Sequence, residues 1–246
     1  MKEKTMKKTF KILIILLIVI TCVAAGLLIW QSDNISSLIS GLSSSSEELA
    51  AKMDDQRNKL KTEVEKYVSR PIEDISAEDE KKLIKGEITV EEIADKYNLP
   101  LDYMKDADTS LSEGTTNNPQ DASNEVQPDS KAIDKAISEG VSKMYALKAK
   151  YVNKLGEVER TVLKEYKNLP KEKQNKDGKY KILMDNLDSV AKLEKKCDDE
   201  VAKVLSDLEE ELESLNGDTE IVKILREAYK QEKEIKKSYY LSMYNN

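Results

Sequence analysis

The chain has 246 residues, with 40 Lys and Arg against 47 Asp and Glu, for a formal net charge of −7 at neutral pH. It contains no histidine, which excludes His-based acid–base catalysis, Ser–His–Asp and Cys–His triads, and His-ligated zinc. Charged residues make up 35% of the chain, Tyr outnumbers Phe and Trp by 11 to 2, and Gly and Pro are few, a mix that suits long solvent-washed helices better than a compact sheet.

The charge is unevenly divided. The first thirty residues carry five Lys and one Glu, net +4, which leaves −11 on the remainder. An acidic remainder argues against nucleic acid and against a basic grip on anionic lipid headgroups.

Between Ile12 and Trp30 the sequence ILIILLIVITCVAAGLLIW holds no charged residue. About 20 apolar residues cross the roughly 30 Å hydrocarbon core of a bilayer as a helix. Phe10 and Trp30 stand where aromatic side chains favour the two interfaces. Lys2, Lys4, Lys7, Lys8 and Lys11 precede the run, and no Lys or Arg follows it until Lys52. That asymmetry predicts a cytoplasmic basic tail over 1–11, a single transmembrane anchor over 12–30, and an extracytoplasmic remainder. Val23-Ala24-Ala25 resembles a signal cleavage site, but Leu27, Leu28, Ile29 and Trp30 continue the apolar run past it, which favours an uncleaved anchor. Thr21-Cys22 lacks the small residue that precedes a lipidated cysteine.

Residues 31–75 read as a Ser-rich exit, ending in Ser43–Ser46, and a membrane-proximal helix. Leu49, Met53, Leu60, Val64, Tyr67 and Val68 fall at helical spacing, with one gap at Arg57, and Arg70-Pro71 ends the run. A small helical unit follows over 76–108. Ser76 with Asp79 is a variant capping box and Gly86 closes the first helix. Thr89 with Glu92 is a full capping box, Ile88 with Ile93 a hydrophobic staple, and Asn98 with Pro100 the stop. Leu101, Tyr103 and Met104 predict one more short turn. Residues 109–128 are polar, mildly acidic and poor in apolar groups, and so predict a flexible linker.

Residues 129–246 carry three long helical stripes. The first runs from Ile133 through Val141, Leu147, Tyr151, Leu155, Val158 and Val162 to Tyr166. The second runs from Tyr180 through Val190, Leu193, Cys197, Val201 and Leu208 to Leu215. The third joins Ile221, Leu225, Ala228, Ile235 and Tyr239, with Glu232 interrupting it. Loops are expected at Leu169 to Gly178 and at Asn216 to Asp218, with Gly217 as the residue after the helix cap. Short loops predict antiparallel packing, and helices on the order of 50 Å long predict an elongated, coiled-coil-like three-helix bundle. The expected fold class is therefore all-α.

No phosphate loop, Rossmann fingerprint or paired-cysteine metal motif occurs, so no enzyme activity, cofactor or metal is expected. Cys22 lies within the anchor and Cys197 far outside it, so they are not expected to pair in one chain. Cys197 lies on an apolar stripe and is the one candidate for an intermolecular disulfide.

The segment from Ile88 to Asp108, ITVEEIADKYNLPLDYMKDAD, resembles two unrelated families. One is the bacterial DNA-binding helix-turn-helix module. Its recognition helix would be Leu101 to Asp108, which holds three Asp and only Lys105 and should repel phosphate. The other is the lysin motif, a peptidoglycan-binding βααβ module, which shares the Ile-Ala-x-x-Tyr pattern. The resemblance covers about twenty residues, and the chain reads as helix and linker where that family carries strands. It implies Thr89, Ile93, Tyr97, Leu101 and Tyr103 as candidate wall-binding residues. The expected function is a membrane-anchored extracytoplasmic scaffold that binds protein partners, or itself, through the bundle. Cell-wall glycan binding through 88–108 is the alternative.

Overall fold

The structure, a computed structural model, describes residues 44–105 and 129–245. The expected anchor at 12–30, Cys22 and the expected linker at 109–128 lie outside these residues. Among the described residues every regular element is a helix, as the stripes predict, and no helix is long and apolar enough to cross a membrane. The elements are α1 (Ser46–Val64), α2 (Ala77–Lys85), α3 (Val90–Tyr97), a 3-10 turn (Leu101–Tyr103), α4 (Ser130–Asn168), a second 3-10 turn (Lys171–Lys173), α5 (Lys176–Ser214) and α6 (Glu220–Asn245).

Local chemistry sets most of the ends. Ser45 Oγ accepts from Glu48 N–H and Glu48 reaches back to Ser45 N–H, a capping box that starts α1 within the serine run. Ser76 caps α2, and Gly86 ends it at φ 72°, a conformation open to residues without a Cβ. Thr89 and Glu92 close the reciprocal box on α3, and Asn98 ends it at φ 51°. Asp129 and Asn175 cap α4 and α5. One terminus differs from expectation by one residue. Asn216, at φ 54°, takes the left-handed position after α5, and Gly217 then donates to Leu212 C=O at 2.8 Å. That six-to-one bond requires the residue before Gly217 to be left-handed, and Asn tolerates it. The loop expected from Leu169 is also shorter, because α5 resumes at Lys176 once Asn175 Oδ1 accepts from Gly178 N–H.

The described residues divide into two compact units, one comprising those up to 59 together with those from 227 onward, the other those between 60 and 226. In the first, α1 and α6 meet through side chains that break their apolar stripes. Arg57 Nη2 lies 3.9 Å from Glu232 Oε1, both side chains mostly buried, and Glu232 also pairs with Lys236 at 3.1 Å. Gln56 donates to Gln231 beside them.

In the second unit α4 is the central element. It runs antiparallel to α5: Ile133 lies beside Gly217, Gly140 beside Leu208, Lys150 pairs with Glu200, and Glu165 accepts from Asn186. Each helix has 39 residues and so extends about 58 Å. The core is densest in buried side chains at Ile137, Val141, Leu147 and Val152 of α4, Val201, Leu205, Leu208 and Leu212 of α5, and Ile221, Val222 and Leu225 at the start of α6. The segment 68–105 packs on the other side of α4. Lys148 Nζ sits 2.6 Å from Asp74 and 3.2 Å from Glu80. Farther along α4, Gly156 leaves room for the backbone of Ile84, which a Cβ there would strike, and Arg160 donates to Ile84 C=O.

Lys150 is 3% exposed and its ammonium lies 2.8 Å from Glu200. Removing one partner strands a buried charge. Glu200→Ala is expected to lower stability by about 2–4 kcal/mol, and Lys150→Met with Glu200→Leu to recover most of the loss. Urea denaturation of the three proteins tests this, and a Glu200→Ala cost below about 0.5 kcal/mol, the scale of a plain surface change, would refute it.

Candidate functional site

Of the five residues implied by the lysin-motif resemblance, Ile93 is buried and the other four keep surface. Thr89 Oγ1 is occupied as the α3 cap, accepting from Glu92 N–H at 3.2 Å. Ile93 is wholly buried. Tyr97 Oη donates to Asp79 at 2.6 Å and accepts from Ser76 N–H at 3.1 Å. Leu101 and Tyr103 keep part of their surface, and Lys143 from α4 lies 5.6 Å from the Tyr103 ring centre. The pattern that resembles a binding module is thus mostly spent on holding α2, α3 and the 3-10 turn together.

Its polar centre is Asp79, which is 3% exposed. Lys96 donates to Asp79 at 2.6 Å, Tyr97 donates to the same oxygen, and Asp79 N–H is tied to Ser76 Oγ. The hydrogen bond from Lys96, then that from Tyr97, hold the Asp79 carboxyl down to about 2, against the opposing pull of desolvation.

Cys197 lies half-buried on α5. The neighbouring acidic run fans around the helix. Asp199 pairs with Lys195 on the α5 surface at 2.8 Å, while Glu200 turns inward to Lys150. Among the described residues no three metal-ligating side chains converge.

The candidate site is instead the outer half of the α4–α5 hairpin. Beyond Gly156 only Val162 of α4 is fully buried, and before Val201 only Ile182 of α5 among the described side chains. The stripes nevertheless continue at unchanged spacing: Leu155, Val158 and Tyr166 on α4, and Val190, Leu193 and Cys197 on α5, are all half-buried. Between the two helices runs an open groove of about 310 Å³, lined by Lys154, Glu157, Val158, Thr161, Asn186, Ser189 and Leu193. Two of these residues, Val158 and Leu193, are apolar, and the other five bring charges and neutral hydrogen-bonding groups. A groove between two helices is the shape that the ridge of a further helix fills. The groove was not among the sequence candidates, because periodicity reports which face is apolar but not where its cover stops.

No family model, characterised protein or solved structure matches this chain.

Asp79 yields a pH prediction. Its folded value lies below the ordinary carboxylate value of about 3.9, so the unfolded chain binds more protons between the two and stability rises with pH there. The contribution is complete above the ordinary value and lost as pH falls through about 2. Asp79→Asn is expected to cost about 1–2 kcal/mol at neutral pH, the modest end for charged hydrogen bonds because Lys96 is solvent-exposed. In urea titrations that difference should shrink steadily below pH 4. An equal difference at pH 5 and pH 2.5 would show that the ionised carboxylate is not what the site uses.

Proposed function

We propose that this protein is a non-enzymatic, single-pass, membrane-anchored scaffold of the cell envelope. In this proposal the basic tail at 1–11 stays in the cytoplasm and residues 12–30 span the membrane. The helices then project from the outer face as a helical bundle. Anchoring raises the local concentration of the bundle, and residues 109–128 set its reach.

The observation that carries the reading is the partly covered stripe on the outer hairpin. A helix pair that keeps Val158 and Leu193 in the lining of an open groove suits a partner helix that lays its apolar face between α4 and α5. The groove rims, with Lys154 and Glu157 on one side and Asn186 and Ser189 on the other, supply the polar margin that gives such packing a register.

The test is a photocrosslinking amino acid placed at Leu193 or, as control, at exposed Glu213, in cells that express the full chain. Adducts of defined mass are expected from Leu193 alone. Val158→Glu should reduce them at least tenfold with the melting temperature of the purified protein held within a few degrees. Equal adducts from both positions, or adducts indifferent to Val158→Glu, would dismiss the groove as the partner site.

A further inference from the structure

We propose that the tip of the α4–α5 hairpin docks on an anionic lipid surface. Residues 161–185 hold seven Lys against four carboxylates, net +3, in a chain whose other residues sum to −10. Lys164, Lys167, Lys171 and Lys173 are exposed, and among the described residues none of the four is drawn into an ion pair. The turn that presents them is cross-tied. Gln174 donates to Leu169 C=O at 2.8 Å and to Lys167 C=O at 3.2 Å, and Asn175 donates to Glu172 C=O at 3.0 Å. The lysines are thus displayed on a preorganised turn, which lowers the ordering cost of binding.

A second, independent feature selects lipid over other polyanions. Leu163 and Met184, 48% and 46% exposed, are the large hydrophobic side chains that stand out to solvent among the described residues, one on each helix of the hairpin end. A soluble polyphosphate chain would reward the lysines and leave these two in water. A bilayer interface rewards both, through headgroup attraction and insertion of apolar side chains at the acyl boundary. Contact with the same tip of a second copy is opposed by like charge. This inference uses different residues from the groove and does not depend on it.

The test uses the full chain with Cys22→Ser and Cys197→Ser, and an environment-sensitive fluorophore attached through Met184→Cys. The labelled protein is combined with vesicles of phosphatidylcholine alone or with 30% phosphatidylglycerol. A blue shift and protection from iodide quenching are expected only with the anionic vesicles, whether or not the chain is otherwise inserted. Replacing Lys167, Lys171 and Lys173 by Gln should weaken this response on the order of a hundredfold, with an unchanged melting curve. The proposal is overturned by no response, by an equal response in both lipids, or by a response that survives the triple substitution. A response to soluble polyphosphate with none to vesicles would overturn it in favour of a polyanion partner.

Discussion

Two lysines on α4, two positions apart, organise the larger unit. Lys150 is 3% exposed and Lys148 has a side-chain exposure of 10%. An ammonium removed from water must meet a carboxylate or give up its charge. Two residues along a helix point to different sides, so each lysine demands a carboxylate from a different neighbour. Lys150 takes Glu200 and thereby sets how far α5 slides along α4. Lys148 takes Asp74 and Glu80 and thereby seats α2 on the opposite flank. Apolar stripes alone specify these placements weakly, since a slide of one helical turn keeps Val against Leu. The buried charges discriminate, because a slid register strands them. Gly156 and Arg160 extend the same docking: one lets the Ile84 backbone approach and the other grips its carbonyl.

Much of this was legible in the sequence for reasons that remain local. Capping boxes at Thr89 and Glu92, the stop at Asn98 and the long stripes of α4 and α5 depend on residues within one turn of each other, and the structure carries them as expected. The two breaks in periodicity, at Arg57 and Glu232, looked like separate faults when each helix was taken alone. They are complementary: Arg57 breaks one stripe where Glu232 breaks the other, and the two side chains lie together. Lys148 and Lys150 gave no such warning, because Lys on a long helix ordinarily snorkels to water. The available signal was their position inside an apolar stretch of α4, between Met144 and Val152.

The candidate binding residues from 88–108 show one pattern serving two uses. Thr, Ile, Tyr and Leu at these spacings satisfy a binding-module pattern and also satisfy a helix cap, a core position and a hydrogen bond to Asp79. Sequence cannot separate the two uses, because both need the same residue types at the same intervals. Geometry separates them, since a side chain whose oxygen is already engaged and whose ring is packed has little left for a ligand. The whole-chain charge is likewise a coarse measure. A net −7 averages an acidic α5 base, a mixed surface and a basic tip into one number, although screening over about 10 Å means that each region presents its own field.

The outer hairpin brings these strands together. The segment 68–105 supports α4 as far as Arg160, and the main core lies between Ile137 and Val152 on α4 and Val201 and Leu212 on α5. A hairpin built only to close that core could turn back soon after Arg160. Instead α4 continues to Asn168 and α5 begins at Lys176, with Val162 and Ile182 holding the two helices together and half-covered apolar residues maintained on both. Each half-buried Val or Leu forgoes part of the roughly 1.5–3 kcal/mol that full burial would contribute. The extension therefore adds little to the fold beyond its own pairing. What it does add is a lever with an open groove between its helices and a charge of opposite sign at its end, the latter held well away from the buried lysines that secure its base.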